Sequence, residues 1–132
     1  MLKIIKEKTE IDEKEKTVKY IIVDNYNDEY IGISKCREDD RFSIRGGELI
    51  SEARARIKFI KGILKKELYP KREVLYHLNS IMEDKKIKKQ IYLIQESINF
   101  YKETIIQEEM YILTCINTLD AISARSKKKK DD

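Results

Sequence analysis

One histidine, two cysteines, one proline and four glycines are all that 132 residues contain of these types. A single histidine, His77, with Cys36 and Cys115 far apart and at no ligand spacing, argues against a zinc centre. Five glycines and prolines in total argue against a β-sandwich or a disordered chain, and for a helix-rich domain. No run approaches the ~20 apolar residues of a membrane span. The N-terminal Met1-Leu-Lys-Ile-Ile-Lys6 lacks the apolar core of a secretory signal. The expectation is a cytoplasmic protein with both thiols reduced. An excess of one charge is also missing: 28 basic residues stand against 24 acidic ones, a net of +4. A dedicated duplex-DNA binder shows a more lopsided balance, so nucleic acid is not an expected partner.

What is present falls into two halves. Leu2 to Lys8 has β-branched content, Thr17–Val23 is aromatic and β-branched throughout, and Glu29–Cys36 returns after the turn composition of Asp24–Asp28. Three strands with short polar connections predict an antiparallel meander. From Gly47 onward the period is helical. Leu49, Ala53, Ile57, Ile60, Leu64 and Leu68 fall on one face, and Pro70 is expected to stop that helix. A second helix is predicted from Lys71 to about Met82, burying Val74, Leu78 and Ile81, with Asp84 as the cap of the next. In the last helix Ile87, Ile91, Ile94, Ile98, Tyr101, Ile105, Glu108, Ile112, Cys115, Leu119 and Ile122 alternate by fours and threes, a heptad seam with one polar intruder. Leu93, Phe100, Ile106, Met110 and Leu113 make other faces of that helix apolar too, which predicts a homo-oligomer. The fold class expected is α+β: one domain over 1–125, with sheet in 1–36, helices in 47–125, and a frayed basic tail at 126–132.

The densest chemistry lies between Tyr30 and Arg56, where five arginines (Arg37, Arg41, Arg45, Arg54 and Arg56) flank Gly46-Gly47 at a helix start. Arg54, Lys58, Lys61 and Lys65 continue as a stripe opposite the apolar face. Such a stripe is either a solvated helix face or, with Arg41 and Arg45, a site for a phosphate-bearing ligand. The glycines serve either a turn or close approach of backbone to an anion. They form no P-loop, since the spacing and the following Lys-Ser/Thr are absent. Glu38, Asp39 and Asp40 lack the spacing of a calcium loop. His77 has no nucleophile or carboxylate partner in the sequence, and no nucleophile–base set stands out, so no enzyme activity and no cofactor are expected. Eight tyrosines are mostly core or interface, but one or two, with Asn99 and Phe100, could stack a purine.

The pattern Gly32-Ile-Ser-Lys-Cys36, Glu38-Asp39-Asp40, Phe42, Gly47, Ile50 and Ala53-Arg54-Ala55 resembles a family of small phage and prophage proteins, the first family of Thoeris anti-defence sponges. It covers about a quarter of the chain. The resemblance implies a small sheet followed by helices, homo-oligomers acting in the host cytoplasm, and non-enzymatic sequestration of cyclic ADP-ribose isomers made by immune TIR enzymes. Some relatives also take up cyclic oligonucleotides at a separate site. The resemblance implies ligand residues on helices at the subunit interface; from the residues of this chain themselves, the expected ligand-binding set is Arg41, Arg45, Arg54, Lys58, Asn99, Phe100 and Arg125. The alternative is a small dimeric nucleic-acid-binding regulator using the basic face of the first helix, which would lose affinity steeply with salt.

Overall fold

The computed structural model describes residues 1–36 and 43–131, with side chains through residue 122. Three strands, β1 (Ile4–Asp12), β2 (Thr17–Asp24) and β3 (Glu29–Lys35), pair in sequence order as an antiparallel meander with β2 central. Three helices follow, α1 (Ile44–Ile63), α2 (Tyr69–Ile81) and α3 (Lys85–Asp131), and one π-helical turn, Leu64–Leu68, joins the first two. The expected α+β class is what the chain adopts.

β2 is the apolar heart of the sheet. Val18, Ile22 and Asp24 are fully buried on the face that α1 covers. On that face Ser34 of β3 lies opposite Val18, Gly32 opposite Tyr20 and Tyr30 opposite Ile22. β1 extends four residues beyond the predicted Lys8, through a stretch that reads as a polar connection. All nine of its residues are exposed, so its sequence needs no apolar alternation, and its place is set by the ladder to β2.

α1 is buried on two sides rather than on one apolar face. Ser51 and Ala55 turn small side chains to the sheet, while Ile50, Ala53 and Ile57 meet Ile105, Ile112, Ile116 and Leu119 of α3. The order of layers is therefore sheet, α1, then α3. Small residues let the inner layers touch backbone to backbone. A Cβ at Gly32 would lie 1.9 Å from the Ser51 carbonyl oxygen and 2.5 Å from the Ala55 nitrogen. Only glycine leaves room for that approach.

Pro70 does not stop the first helix. The chain stays helical through the π turn, and Pro70 sits in the first turn of α2. A proline inside a regular helix leaves the carbonyl four residues back unpaired and clashes with it. The wider π turn immediately before Pro70 shifts the hydrogen-bond phase there.

The heptad seam of α3 is covered by this chain itself from Ile87 to Leu119, while its last member, Ile122, is exposed. Ile94 and Ile98 pack with Leu64, Leu68, Tyr69 and Leu75, and Ile98 is 0% exposed. Glu108, the polar intruder, accepts a hydrogen bond from Arg56 Nη2 at 3.2 Å, which explains a carboxylate in an otherwise apolar row. Each buried isoleucine contributes ~1.5–3 kcal/mol. The outward faces are a different matter. Leu93, Phe100, Ile106, Met110 and Leu113 of α3 remain exposed, and α2 has no buried residue at all while exposing Val74, Leu78 and Ile81.

Candidate functional site

Asp84 starts α3 by accepting from the Lys86 N–H at 2.8 Å, the cap that the sequence predicts. This short connection folds α3 back along α2. Between the two helices lies a groove of about 420 Å³, within the ~300–1,000 Å³ usual for small-molecule sites. Tyr76 and Asn79 line it from α2, and Lys88, Ile91, Tyr92 and Gln95 from α3. The helical spacing of three and four puts each set on one side of its helix.

The groove combines aromatic and polar groups. Tyr92 is 63% exposed and Tyr76 is 45% exposed, so both rings offer open faces. One wall carries a hydrogen-bonded chain, although Arg72 Nε in it is buried without a partner. Arg72 Nη1 donates to Gln95 Oε1 at 3.3 Å, and Gln95 Nε2 donates to Asn99 Oδ1 at 3.0 Å. Arg72 also lies 5.0 Å over the Tyr69 ring, a cation–π contact that holds the guanidinium against the wall. Asn79 Oδ1 is buried with no hydrogen-bond partner. An unpaired buried acceptor costs roughly 1–3 kcal/mol, which a donor on a bound molecule would recover. Lys88 adds an exposed cation at the rim. Two open tyrosine faces, one unsatisfied acceptor and one cation suit a planar heteroaromatic ring with an amino edge and a negative substituent.

The residues expected to bind ligand do not converge on a single cluster among the described residues. Arg54 Nη1 donates to the Ile33 carbonyl and Lys58 Nζ to the Ile31 carbonyl, each at 2.6 Å. Both side chains thus cap the outer edge of β3. Arg45 pairs with Glu48 at 3.3 Å. Asn99 is tied to the groove wall through Gln95, whereas Phe100 is 65% exposed on the outward face, edge-on to Tyr101. Arg41, with Arg37 and the acidic Glu38-Asp39-Asp40, lies outside the described residues, as does the side chain of Arg125.

Gly46 and Gly47 sit inside the first turn of α1. Ser43 caps that turn, accepting from the Gly46 N–H at 3.1 Å through its hydroxyl and from the Gly47 N–H at 2.9 Å through its carbonyl. A Cβ at Gly47 would meet Val18 Cγ2 at 2.7 Å, and one at Gly46 would meet Leu119 Cδ1 at 2.8 Å. Packing accounts for both glycines. Of the groove residues, Tyr76 and Tyr92 were legible only as two tyrosines among eight. The missed signal is the pairing of Tyr76 with Asn79, three residues on, and of Lys88 with Tyr92 and Gln95, four and seven on.

A second polar centre ties the π turn to the sheet. Asp24, 0% exposed, accepts from the Tyr30 hydroxyl at 2.8 Å and from the N–H groups of Tyr26 and Asp28 at 2.8 and 3.0 Å. Lys66 reaches Asp24 at 3.4 Å, the Tyr30 hydroxyl at 2.9 Å, and Asp28. Burial pushes the Asp24 carboxyl up, but these donors together outweigh it and hold it below the usual carboxylate range. Burial raises the Tyr30 phenol. Hydrogen bonds to Asp28 and Tyr30 raise the Lys66 ammonium. Each group keeps one protonation state at neutral pH, which fits a structural tie and not a proton shuttle.

Among the described residues no His/Cys/Asp/Glu group could hold a metal ion, and no helix is long and apolar enough to cross a membrane. Neither Cys36 nor Cys115 forms a disulfide. Compared with known proteins, the chain matches no family model, no curated protein and no solved structure.

Proposed function

We propose that this chain is a non-enzymatic nucleotide sponge that holds a cyclic nucleotide signal by its base, with Tyr76 and Tyr92 gripping the ring and Asn79 reading its edge. The observation that carries this reading is the α2–α3 groove, where two open tyrosine faces stand beside a buried acceptor that has no partner. Base–aromatic stacking is worth ~1–3 kcal/mol per base and needs no chemistry. Lys88 meets a phosphate at the rim.

Cyclic ADP-ribose isomers, and cyclic oligonucleotides as a second class, are the ligands of choice under the sponge resemblance. Their removal would blunt a bacterial anti-phage defence from within the host cytoplasm. Assembly belongs to the same proposal. The exposed apolar faces of α2 and α3 would be covered by other copies of the chain, and the arginines would then approach a ligand from a neighbouring subunit. The test is to incubate the protein with these nucleotides, remove what is unbound, release the remainder by heat and identify it by mass spectrometry. Intact nucleotide is the expected result. A linearised or hydrolysed product would place the protein among nucleases instead.

A further inference from the structure

The two edges of the sheet are built differently. On β3, the outward carbonyls of Ile31 and Ile33 are occupied by Lys58 and Arg54. On β1, no described side chain reaches the outer edge between Glu7 and Ile11. The hydrogen-bond phase shows which groups point there. The Cys36 N–H donates to the Lys16 carbonyl at 2.9 Å, so Lys16, Val18, Tyr20 and Ile22 bond towards β3, and the alternate residues Thr17, Lys19, Ile21 and Val23 bond towards β1. Their partners are Asp12, Glu10, Lys8 and Lys6. The backbone N–H and C=O groups of Glu7, Thr9 and Ile11 therefore turn outward, unpaired.

We propose that this edge pairs antiparallel with β1 of a second copy of the chain, in two-fold register about Thr9, joining two sheets into one of six strands. Going beyond nucleotide binding, this uses a surface separate from the groove and from the outward faces of the helices. Charge selects both the occupant and the register. A two-fold antiparallel pair places residue i opposite a residue of the same parity, so each possible centre can be checked. Centring on Glu7, Lys8 or Glu10 sets that charge against its own copy, and centring on Ile11 sets Glu10 against Asp12. Among centres within the outward edge from Glu7 to Ile11, the Thr9 centre alone opposes no like charges. It sets Lys8 against Glu10 and Lys6 against Asp12 of the second copy, twice by symmetry, and Thr9 against Thr9. Opposite charges and threonine pairs directly across a ladder are stabilising, and like charges are not. Exposed lysines on an edge normally guard it against pairing, but here acids stand at the positions that answer them.

The test is the mass in light scattering of the whole protein. Wild type is expected at no less than twice the mass of one chain. Thr9→Pro removes an outward N–H and leaves the ladder to β2 intact, because that ladder runs through Lys6, Lys8, Glu10 and Asp12. It is expected to halve the assembly mass while the circular dichroism spectrum stays unchanged. Should Thr9→Pro misfold, a charge exchange decides. The variant K6E/K8E and the variant E10K/D12K should each show the halved mass, and an equimolar mixture of the two should restore the wild-type mass. A monomeric wild type, full mass in both charge variants, or a mixture that fails to recover would each overturn the proposal.

Discussion

Replacing Gly32 by alanine adds one methyl group at the place where β3 and α1 touch. The new Cβ would stand 1.9 Å from the Ser51 carbonyl oxygen and 2.5 Å from the Ala55 nitrogen, with Arg54 Cβ at 3.0 Å. The first two are backbone atoms, so no rotamer change relieves them. Restoring a normal separation of ~3.5 Å requires α1 to retreat by roughly 1 Å or more. Overpacking of this kind costs ~1–3 kcal/mol. The retreat also thins the contact of Ala55 with Ile22 and Tyr30, and a gap of ~0.5–1 Å forfeits a quarter to a half of each dispersion contact. It further draws Arg54 and Lys58 away from the Ile33 and Ile31 carbonyls. A loss of about 3–4 kcal/mol follows, and at ~3–5 °C per kcal/mol for a domain of this size the melting temperature falls by ~9–20 °C. A thermal melt followed by circular dichroism measures it. Gly62→Ala is a separate perturbation: its Cβ would meet the Tyr30 ring at 2.8 Å, a buried ring held by Asp24 and Lys66, so a drop of its own is expected there through loss of that tie. A Gly32→Ala protein melting within ~2 °C of wild type would refute the direct contact of helix and strand.

Asp24→Asn should cost ~1.5–3 kcal/mol at neutral pH, the worth of hydrogen bonds to a charged group. Because the folded Asp24 pKa is lowered, the unfolded chain takes up its proton first as pH falls. This contribution is complete above the ordinary value of ~3.9 and fades below it, through the lowered folded value. Urea midpoints of wild type and variant should converge on acidification below about pH 4, and a gap that persists there would contradict the assignment. Phe100→Asp with Met110→Asp, both on exposed faces, should lower the mass in light scattering without unfolding the chain. Ile98→Asp, in contrast, should unfold it, since an unpaired charge buried against Leu64 and Ile94 costs several kcal/mol. Equal behaviour of the two variants would show that the seam and the outward face are not distinct.

The class of fold was readable because β2 and the heptads of α3 are packed on the chain's own core, and packing imposes periodicity on sequence. Ile94, Ile98 and Ile112 follow the seam, and all three are buried. What was not readable depends on relations between segments. β1 has no buried residue and no apolar pattern to reveal its length. The arginine stripe reads the same whether it meets a ligand or, as with Arg54 and Lys58, the carbonyls of a strand some twenty residues earlier. Gly46 and Gly47 suggest a turn or an anion site until Val18 and Leu119 are seen against them. The groove needs Tyr76 and Tyr92 to be brought to one groove by the Met82–Asp84 connection, and nothing local to either tyrosine announces that.

Nucleotide binding by the α2–α3 groove is tested most directly by calorimetric titration of the protein with a cyclic ADP-ribose isomer, comparing wild type with Tyr76→Ala/Tyr92→Ala. Both side chains are exposed, so the variant should keep its melting temperature. Losing two stacking faces at ~1–3 kcal/mol each should weaken binding by at least ~30-fold, at the 1.4 kcal/mol per tenfold of affinity arithmetic. The nucleotide recovered from wild type should be chemically unchanged. Binding of equal strength in the folded double variant, or no heat with wild type for any of the cyclic nucleotides, would contradict the account.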